Sequence, residues 1–228
     1  MNERYAIYLA PESDTEVWRF GTSWLGRDPE TGRTETETLG LPAALHAAIT
    51  ATPARYGFHA TLKPPFRLAA GFTVDALHDA LDRFTEQRAA FDAPPVVLSE
   101  LHGFLALVPD GDSPALEELA TACVRGFDEF RAPPSEAEIA HRNPAALTPG
   151  QRENLTNWGY PYVMRDFRCH MTLTGRLSET DMTTVRPVLE AATQRLCAEP
   201  LTVRSVALYH EPSPGADFHM VRRFPFHR

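Results

Sequence analysis

Two short strings in the chain, Phe58-His59-Ala60-Thr61-Leu62 and Cys169-His170-Met171-Thr172-Leu173, each place a histidine and a threonine two residues apart inside an apolar run. A pair of imidazoles acting on one small ligand is what in-line attack at phosphorus needs. One neutral histidine takes the proton from an attacking water or hydroxyl, and the opposite, protonated histidine returns a proton to the departing oxygen. Histidine suits both roles because its ordinary pKa, about 6.5, lies close to neutral pH. The threonine hydroxyls can donate to non-bridging phosphate oxygens while neighbouring cations neutralise the charge gathering there. Such an arrangement calls for no metal and no other cofactor.

The elements that would hold these groups are strands. In an extended strand alternate side chains share a face, so His59 and Thr61 point opposite to Phe58, Ala60 and Leu62, and His170 and Thr172 opposite to Cys169, Met171 and Leu173. Continuing the alternation adds Arg55, Gly57 and Lys63 to the first polar face and Asp166, Arg168 and Thr174 to the second. The expected catalytic set is His59, Thr61, His170 and Thr172. Arg55, Lys63 and Arg168 supply positive charge for substrate binding, with Tyr56 entering from the loop side and Tyr8 flanking the strand. Either string alone also reads as an amphipathic strand carrying an incidental histidine. The matched pair is what turns the reading toward chemistry.

The strings sit inside longer matching units. Tyr5 to Pro11 and Phe104 to Pro109 are strands ending in proline, each followed by an acidic turn and a helix, the second from about Pro114 to Phe130. Linkers and short helical patches, Pro42 to Thr50 and Pro149 to Trp158, lead to the His-x-Thr strands. Amphipathic helices follow at Val74 to Arg88 and Glu179 to Leu196, then strands at Val96 to Ser99 and Leu201 to Tyr209. Strand, helix, linker, His-x-Thr strand, helix, strand, repeated over about 1–103 and 104–228, is an α+β pattern of two pseudo-equivalent lobes in a single bilobal domain. A pseudo-twofold axis between them would make the two His-x-Thr strands face one another across a central groove. The polar stretches Gly26 to Gly40 and Ala132 to Pro149 read as surface connections or as flaps over a ligand.

Composition sets the outer limits. The chain has 228 residues, enough for a sizeable core, a formal net charge of -8 and a single lysine, Lys63. That charge balance disfavours long nucleic acid, whose phosphates it would repel on average, and leaves room for a small phosphorylated ligand in a local cationic pocket. Apolar runs are too short to span a bilayer, and the first residues read as a strand, not a signal peptide, so a cytoplasmic protein with no membrane partner is expected. Cys123, Cys169 and Cys197 show no paired spacing for a disulfide framework or a zinc site, and are expected to be reduced and mostly buried. The histidines outside the two strings, His46, His78, His102, His141, His210, His219 and His227, read as surface or loop residues.

The paired motifs make the chain resemble the 2H phosphoesterases. The strings from Arg55 to Leu68 (RYGFHATLKPPFRL), from Gly159 to Leu177 (GYPYVMRDFRCHMTLTGRL) and the closing RRFPF make it look most like their bacterial, phosphonate-associated DUF1045-like subgroup. The resemblance implies a LigT-like fold, with antiparallel sheets around a central cleft lined by the two histidines and two threonines. It implies a phosphodiester, often cyclic, as substrate, and the phosphonate setting points to 5-phosphoribosyl 1,2-cyclic phosphate, whose opening leaves a ribose bisphosphate. Two other functions stay open at this stage: hydrolysis or ligation at 2',3'-cyclic phosphate nucleotide or RNA ends, and a phosphate-ligand sensor without turnover. Retention of two histidines and two threonines weighs against the sensor, since arginines alone would satisfy binding.

Overall fold

The computed structural model describes residues 3–32 and 35–227, without the side chains of His141 and Cys197, so the expectations for those two residues lie outside the described residues. The first half runs β1 (Arg4–Leu9), α1 (Glu16–Leu25), α2 (Ala43–Tyr56), β2 (Ala60–Phe66), α3 (Val74–Glu86), β3 (Phe91–Ala93) and β4 (Val96–Leu101). The second runs β5 (Phe104–Pro109), α4 (Pro114–Gly126), α5 (Glu136–His141), α6 (Pro149–Trp158), β6 (Met171–Thr172), α7 (Glu179–Thr193), β7 (Leu201–Val203), β8 (Ser205–Glu211) and β9 (His219–Pro225). No described helix is long and apolar enough to cross a membrane.

Helix boundaries follow local chemistry. Thr15, Thr73 and Ser178 cap α1, α3 and α7 by accepting a backbone N–H from the first turn. Apolar side chains then recur at helical spacing, as in Leu77 and Leu81 of α3 or Leu116, Leu119 and Cys123 of α4, and those faces are buried.

Seven strands form one antiparallel sheet in the order β4-β5-β6-β2-β1-β8-β9, and β3 pairs with β7 in a second, small sheet. With β9 set aside, the order is palindromic between the two halves of the chain. β6 and β2 are central, β5 and β1 flank them, and β4 and β8 lie outermost. Each outermost strand comes from the opposite half of the sequence to the strand it pairs with. The two His-x-Thr strands are therefore adjacent in one sheet, with Ala60 opposite Met171, and do not face one another from separate lobes. Continuing that register sets His59 beside Thr172 and Thr61 beside His170.

Packing behind the central strands is tight. Trp24 of α1, nearly fully buried, donates its indole N–H to the carbonyl of Leu173 at 2.8 Å. His46 is buried, contrary to the surface reading, because its Nε2 donates to the carbonyl of Trp24 at 2.8 Å. Cys123 is buried and Cys169 half-buried, both as free thiols. The stretch after Ala132 is ordered by two capping boxes, Ser135 with Glu138 on α5 and Thr148 with Gln151 on α6.

Gly21 of α1 lies against the buried ring of Phe58, and a Cβ there would sit 2.2 Å from that ring. Gly21→Ala is expected to destabilise by about 1–3 kcal/mol through overpacking. Gly126→Ala, where the nearest ring atoms lie 3.8 Å from the added carbon, should leave the urea midpoint nearly unchanged. Equal midpoints for the two variants would contradict the packing account.

Candidate active site

Both histidines are oriented by the same device. His59 Nδ1 lies 2.9 Å from the carbonyl of Gly57, and His170 Nδ1 lies 2.8 Å from the carbonyl of Arg168. A carbonyl only accepts, so Nδ1 carries the proton in each ring and Nε2 keeps its lone pair when the ring is neutral. In the first motif the chain leaves α2 at Tyr56 and turns through Gly57 at φ 76°, a conformation that favours glycine. This turn carries the Gly57 carbonyl to the ring two residues on.

Around His59 the packing is aromatic. Tyr8 stacks on the imidazole with centroids 3.6 Å apart and planes 17° apart, and Tyr209 lies behind at 6.0 Å. The Thr61 hydroxyl sits 3.3 Å from His59 Nε2 and can donate to it. A cavity of about 250 Å³ opens here, lined by Tyr8, Tyr56, His59, Thr61 and Thr172 together with Arg4 and Arg142. His170 stands outside that lining, half-buried beside the ring of Phe104 at 6.0 Å.

Burial pushes the His59 pKa down to about 4, opposed by the Gly57 carbonyl and reinforced by the nearby His170 imidazole. Burial also lowers the His170 pKa, opposed by the Arg168 carbonyl. Both shifts favour the neutral ring at neutral pH.

The other residues expected from sequence part company. Tyr8 and Tyr56 line the cavity. Lys63 does not: Tyr8 pairs with Thr61, but Ile7 pairs with Lys63 instead of Leu62, so a bulge in β2 inserts one residue and reverses the alternation. Lys63 is consequently buried on the opposite side, where its ammonium donates to the carbonyl of Val124 at 3.0 Å and to Asp128 at 3.4 Å. Burial brings its pKa down to about 8 against the pull of Asp128.

Arg55 lies on the last turn of α2, so strand alternation never reaches it. Its guanidinium contacts Glu211 at 2.9 Å and the Tyr56 hydroxyl at 2.6 Å, which makes it a support for Tyr56 outside the cavity lining. Arg168 precedes β6 and is exposed, and its contribution to the site is its backbone carbonyl. Asp166 accepts from Asn154 at 3.0 Å and Gln151 at 3.3 Å, tying α6 to the approach to β6.

Arg4 and Arg142 are the cations that line the cavity in place of Lys63 and Arg168. The signal for Arg4 was available, since Arg4, Ala6 and Tyr8 alternate on one face of β1. Arg142 sits in the connection after Ala132, over the ring of Tyr160 at 4.6 Å, where no periodicity marks it. Glu211, fully buried, holds both Arg4 and Arg55. Burial opposes its ionisation, but the hydrogen bond and charge of Arg4, the Gly215 N–H and the charge of Arg55 together outweigh this and keep the carboxyl below its usual range.

The family model described as "Protein of unknown function (DUF1045)" matches residues 61–219, and the chain belongs to that family. Two curated relatives carry the name "Ribose 1,5-bisphosphate phosphokinase PhnN". The one from Janthinobacterium sp. (strain Marseille) is 38% identical over 229 residues, covering 98% of this chain and 51% of the relative. The one from Laribacter hongkongensis (strain HLHK9) is 37% identical over 220 residues, covering 96% and 51%. The chain thus spans about half the length of these relatives. Among solved structures, E. coli LigT complexed with 3'-AMP superposes over 100% of both chains at 13% identity with a TM-score of 0.45. A conserved protein of unknown function from Agrobacterium tumefaciens str. C58 gives 12% identity and a TM-score of 0.46 over 98% of this chain and 87% of its own.

The depressed His59 pKa has a consequence for stability. Unfolded, the ring titrates near 6.5; folded, near 4. Between those values the unfolded chain binds more protons, so stability falls as pH falls through that window. Wild type should lose about 2–3 kcal/mol from this source between pH 7.5 and 4.5, a loss that His59→Gln removes. Urea midpoints for both proteins at the two pH values test this, and a variant that loses as much as wild type would refute it.

Proposed function

We propose that this DUF1045 member is a phosphodiesterase that opens a small cyclic phosphodiester by paired-histidine acid–base catalysis. The observation that carries the reading is the matched tethering of two imidazoles by the carbonyls two residues before them. Each ring is fixed in one tautomer, and His59 shares its cavity with Thr61, Thr172, Arg4 and Arg142. Orientation of this kind lowers the barrier by holding the proton-transfer atom in place before substrate arrives.

In this mechanism His59, whose burial disfavours a proton, is the base that receives one from the attacking water at Nε2. His170, nearer solvent, takes up a proton as the anionic substrate settles and delivers it to the departing ring oxygen. Water oxygen bonds to phosphorus, one P–O bond of the ring breaks, and the product is a phosphomonoester with a free hydroxyl. Thr61 and Thr172 donate to non-bridging oxygens, and Arg4 and Arg142 offset the charge that develops on them.

The substrate of this reading is a phosphorylated ribose 1,2-cyclic phosphate. Its support is the relatives' name, which gives ribose 1,5-bisphosphate as the molecule that they phosphorylate. This chain lacks the Gly-rich, lysine-containing phosphate loop common in kinases, since its one lysine follows Ala60-Thr61-Leu62 and precedes two prolines. The half of the relatives that it matches would then perform another step. Opening the 1,2-cyclic ring with O2 as leaving group yields ribose 1,5-bisphosphate, the compound that such a kinase consumes.

Incubation with 5-phosphoribosyl 1,2-cyclic phosphate and, separately, with 2',3'-cyclic nucleotides, followed by phosphorus NMR, should show selective opening of the ribose ring that persists in EDTA. His59→Ala and His170→Ala should each lower kcat by about 10²- to 10⁴-fold, and the double variant by far less than the product of the two. Preference for nucleotides would transfer the activity to RNA-end chemistry, and inertness toward both rings would end the diesterase reading. The pH profile of kcat/KM should be a bell belonging to the histidine pair, with its maximum below about 6.5 because both pKa values are lowered. A maximum in the alkaline range would contradict the assignment of both limbs to these rings.

A further inference from the structure

A second cavity, of about 370 Å³, adjoins the first and shares Arg4, Pro65 and Arg142 with it as a common wall. Its lining holds four arginines, Arg4, Arg67, Arg131 and Arg142, against one carboxylate, Glu138. In a chain with a formal net charge of -8, this is a marked local reversal of sign, and neither the two histidines nor the two threonines of the paired motifs belong to it. We infer that this arginine-lined cavity seats a second, non-reacting phosphate monoester of the substrate, one pentose away from the phosphodiester held at the histidines.

The guanidinium groups are held in place before any ligand arrives. Arg131 makes a two-pronged contact with Asp128 at 2.8 and 3.2 Å and donates to the carbonyl of Asn157 at 3.1 Å. Arg67 donates to the carbonyl of Pro133 at 2.9 Å and to Glu138 at 3.0 Å. Arg4 is fixed by Glu211, and Arg142, which has no carboxylate partner among the described residues, rests over Tyr160. Fixed guanidiniums suit bidentate recognition of a phosphate, and little side-chain freedom remains to be lost on binding. The shared wall lets one ligand occupy both cavities, so the chemical class is a sugar carrying a terminal phosphate as well as the reacting one.

Glu138 gives the inference a sign. Its carboxylate caps α5 by accepting the Ser135 N–H at 2.7 Å and also holds Arg67. A glutamine keeps the capping acceptor but not the negative charge. If the cavity receives an anion, Glu138→Gln should tighten its binding; if Glu138 serves only to order the loop, the same change should leave binding unchanged or weaker.

The inference rests on the phosphodiesterase reading for its substrate, but its test uses binding alone. Titration calorimetry with ribose 5-phosphate, and ribose as the uncharged control, should show binding of the phosphate ester only. Arg67→Gln, which touches the second cavity but not the first, should weaken it by about 10- to 100-fold, and Arg142→Gln should act in the same direction. His59→Ala should leave the affinity within about threefold, and Glu138→Gln should raise it. Three results would overturn the subsite: ribose binding as well as its 5-phosphate, affinity lost in His59→Ala but not in Arg67→Gln, or affinity unchanged or lowered in Glu138→Gln. Binding as stated in a protein that opens neither cyclic phosphate would retain the subsite and discard the diesterase. Ring opening with binding indifferent to Arg67→Gln would do the reverse.

Discussion

The pairing of β2 with β6 is the contact on which the candidate site depends, and it is a short one. β6 has two residues, and Ala60 opposite Met171 is the central register point of the large sheet. A strand that short has too few ladder bonds to hold itself, so its surroundings fix it. Thr172 and Met171 also pair with Ala106 and Leu107 of β5 on the other side. The N–H groups of Leu173 and Thr174 both reach the carbonyl of Leu105, the Thr174 hydroxyl accepts from Leu105 N–H, and the Trp24 indole takes the Leu173 carbonyl. These bonds anchor the chain as it leaves β6 and hold the second motif in the same sheet as the first.

The exchange of outer strands has a mechanical consequence. Because β4 of the first half pairs with β5 and β8 of the second half pairs with β1, neither half can complete its side of the sheet alone. Moving one motif relative to the other would have to disturb the outer pairings as well as the central one. A site that needs two imidazoles at a fixed separation gains from such coupling, since rigid elements hold geometry better than loops.

The parts of this arrangement that could be read in the sequence were those with a repeating signal. Period-two alternation marked His59 with Thr61 and His170 with Thr172, and helical spacing marked α3, α4 and α7 within a few residues. The order of elements in the two units followed from the same patterns. What escaped were single-residue events that break a period. The β2 bulge at Lys63 changes one pairing and sends the only lysine into the core, and the α2 terminus at Tyr56 takes Arg55 out of the alternation. β3 has three residues and no room for a pattern, and β9 carries Arg222 and Arg223 among its apolar positions. The connection after Ala132 looked like solvated loop because its proline and charge content dominates. Ser135 with Glu138 and Thr148 with Gln151 are capping-box spacings that mark helix starts there, and they bring Arg142 and Glu138 to the site.

Charge placement reconciles the acidic whole with a cationic cleft. Glu211, Asp128 and Glu138 each hold an arginine, and only Glu138 lines either cavity. Glu211 illustrates the principle: fully buried and bridging Arg4 and Arg55, it holds Arg4 at the edge of both cavities and Arg55 against the Tyr56 hydroxyl. A buried carboxylate used in this way adds little net stability, because desolvation offsets most of the Coulombic gain. Its contribution is to direct where positive charge points. On the proposed reading, the same burial that disfavours a proton on His59 would make an arriving phosphate act strongly, because an anion in a poorly solvated cleft raises the proton affinity of the imidazoles beside it. Binding and protonation would then be linked, and the state with one imidazole charged and one neutral would be reached with the ligand in place.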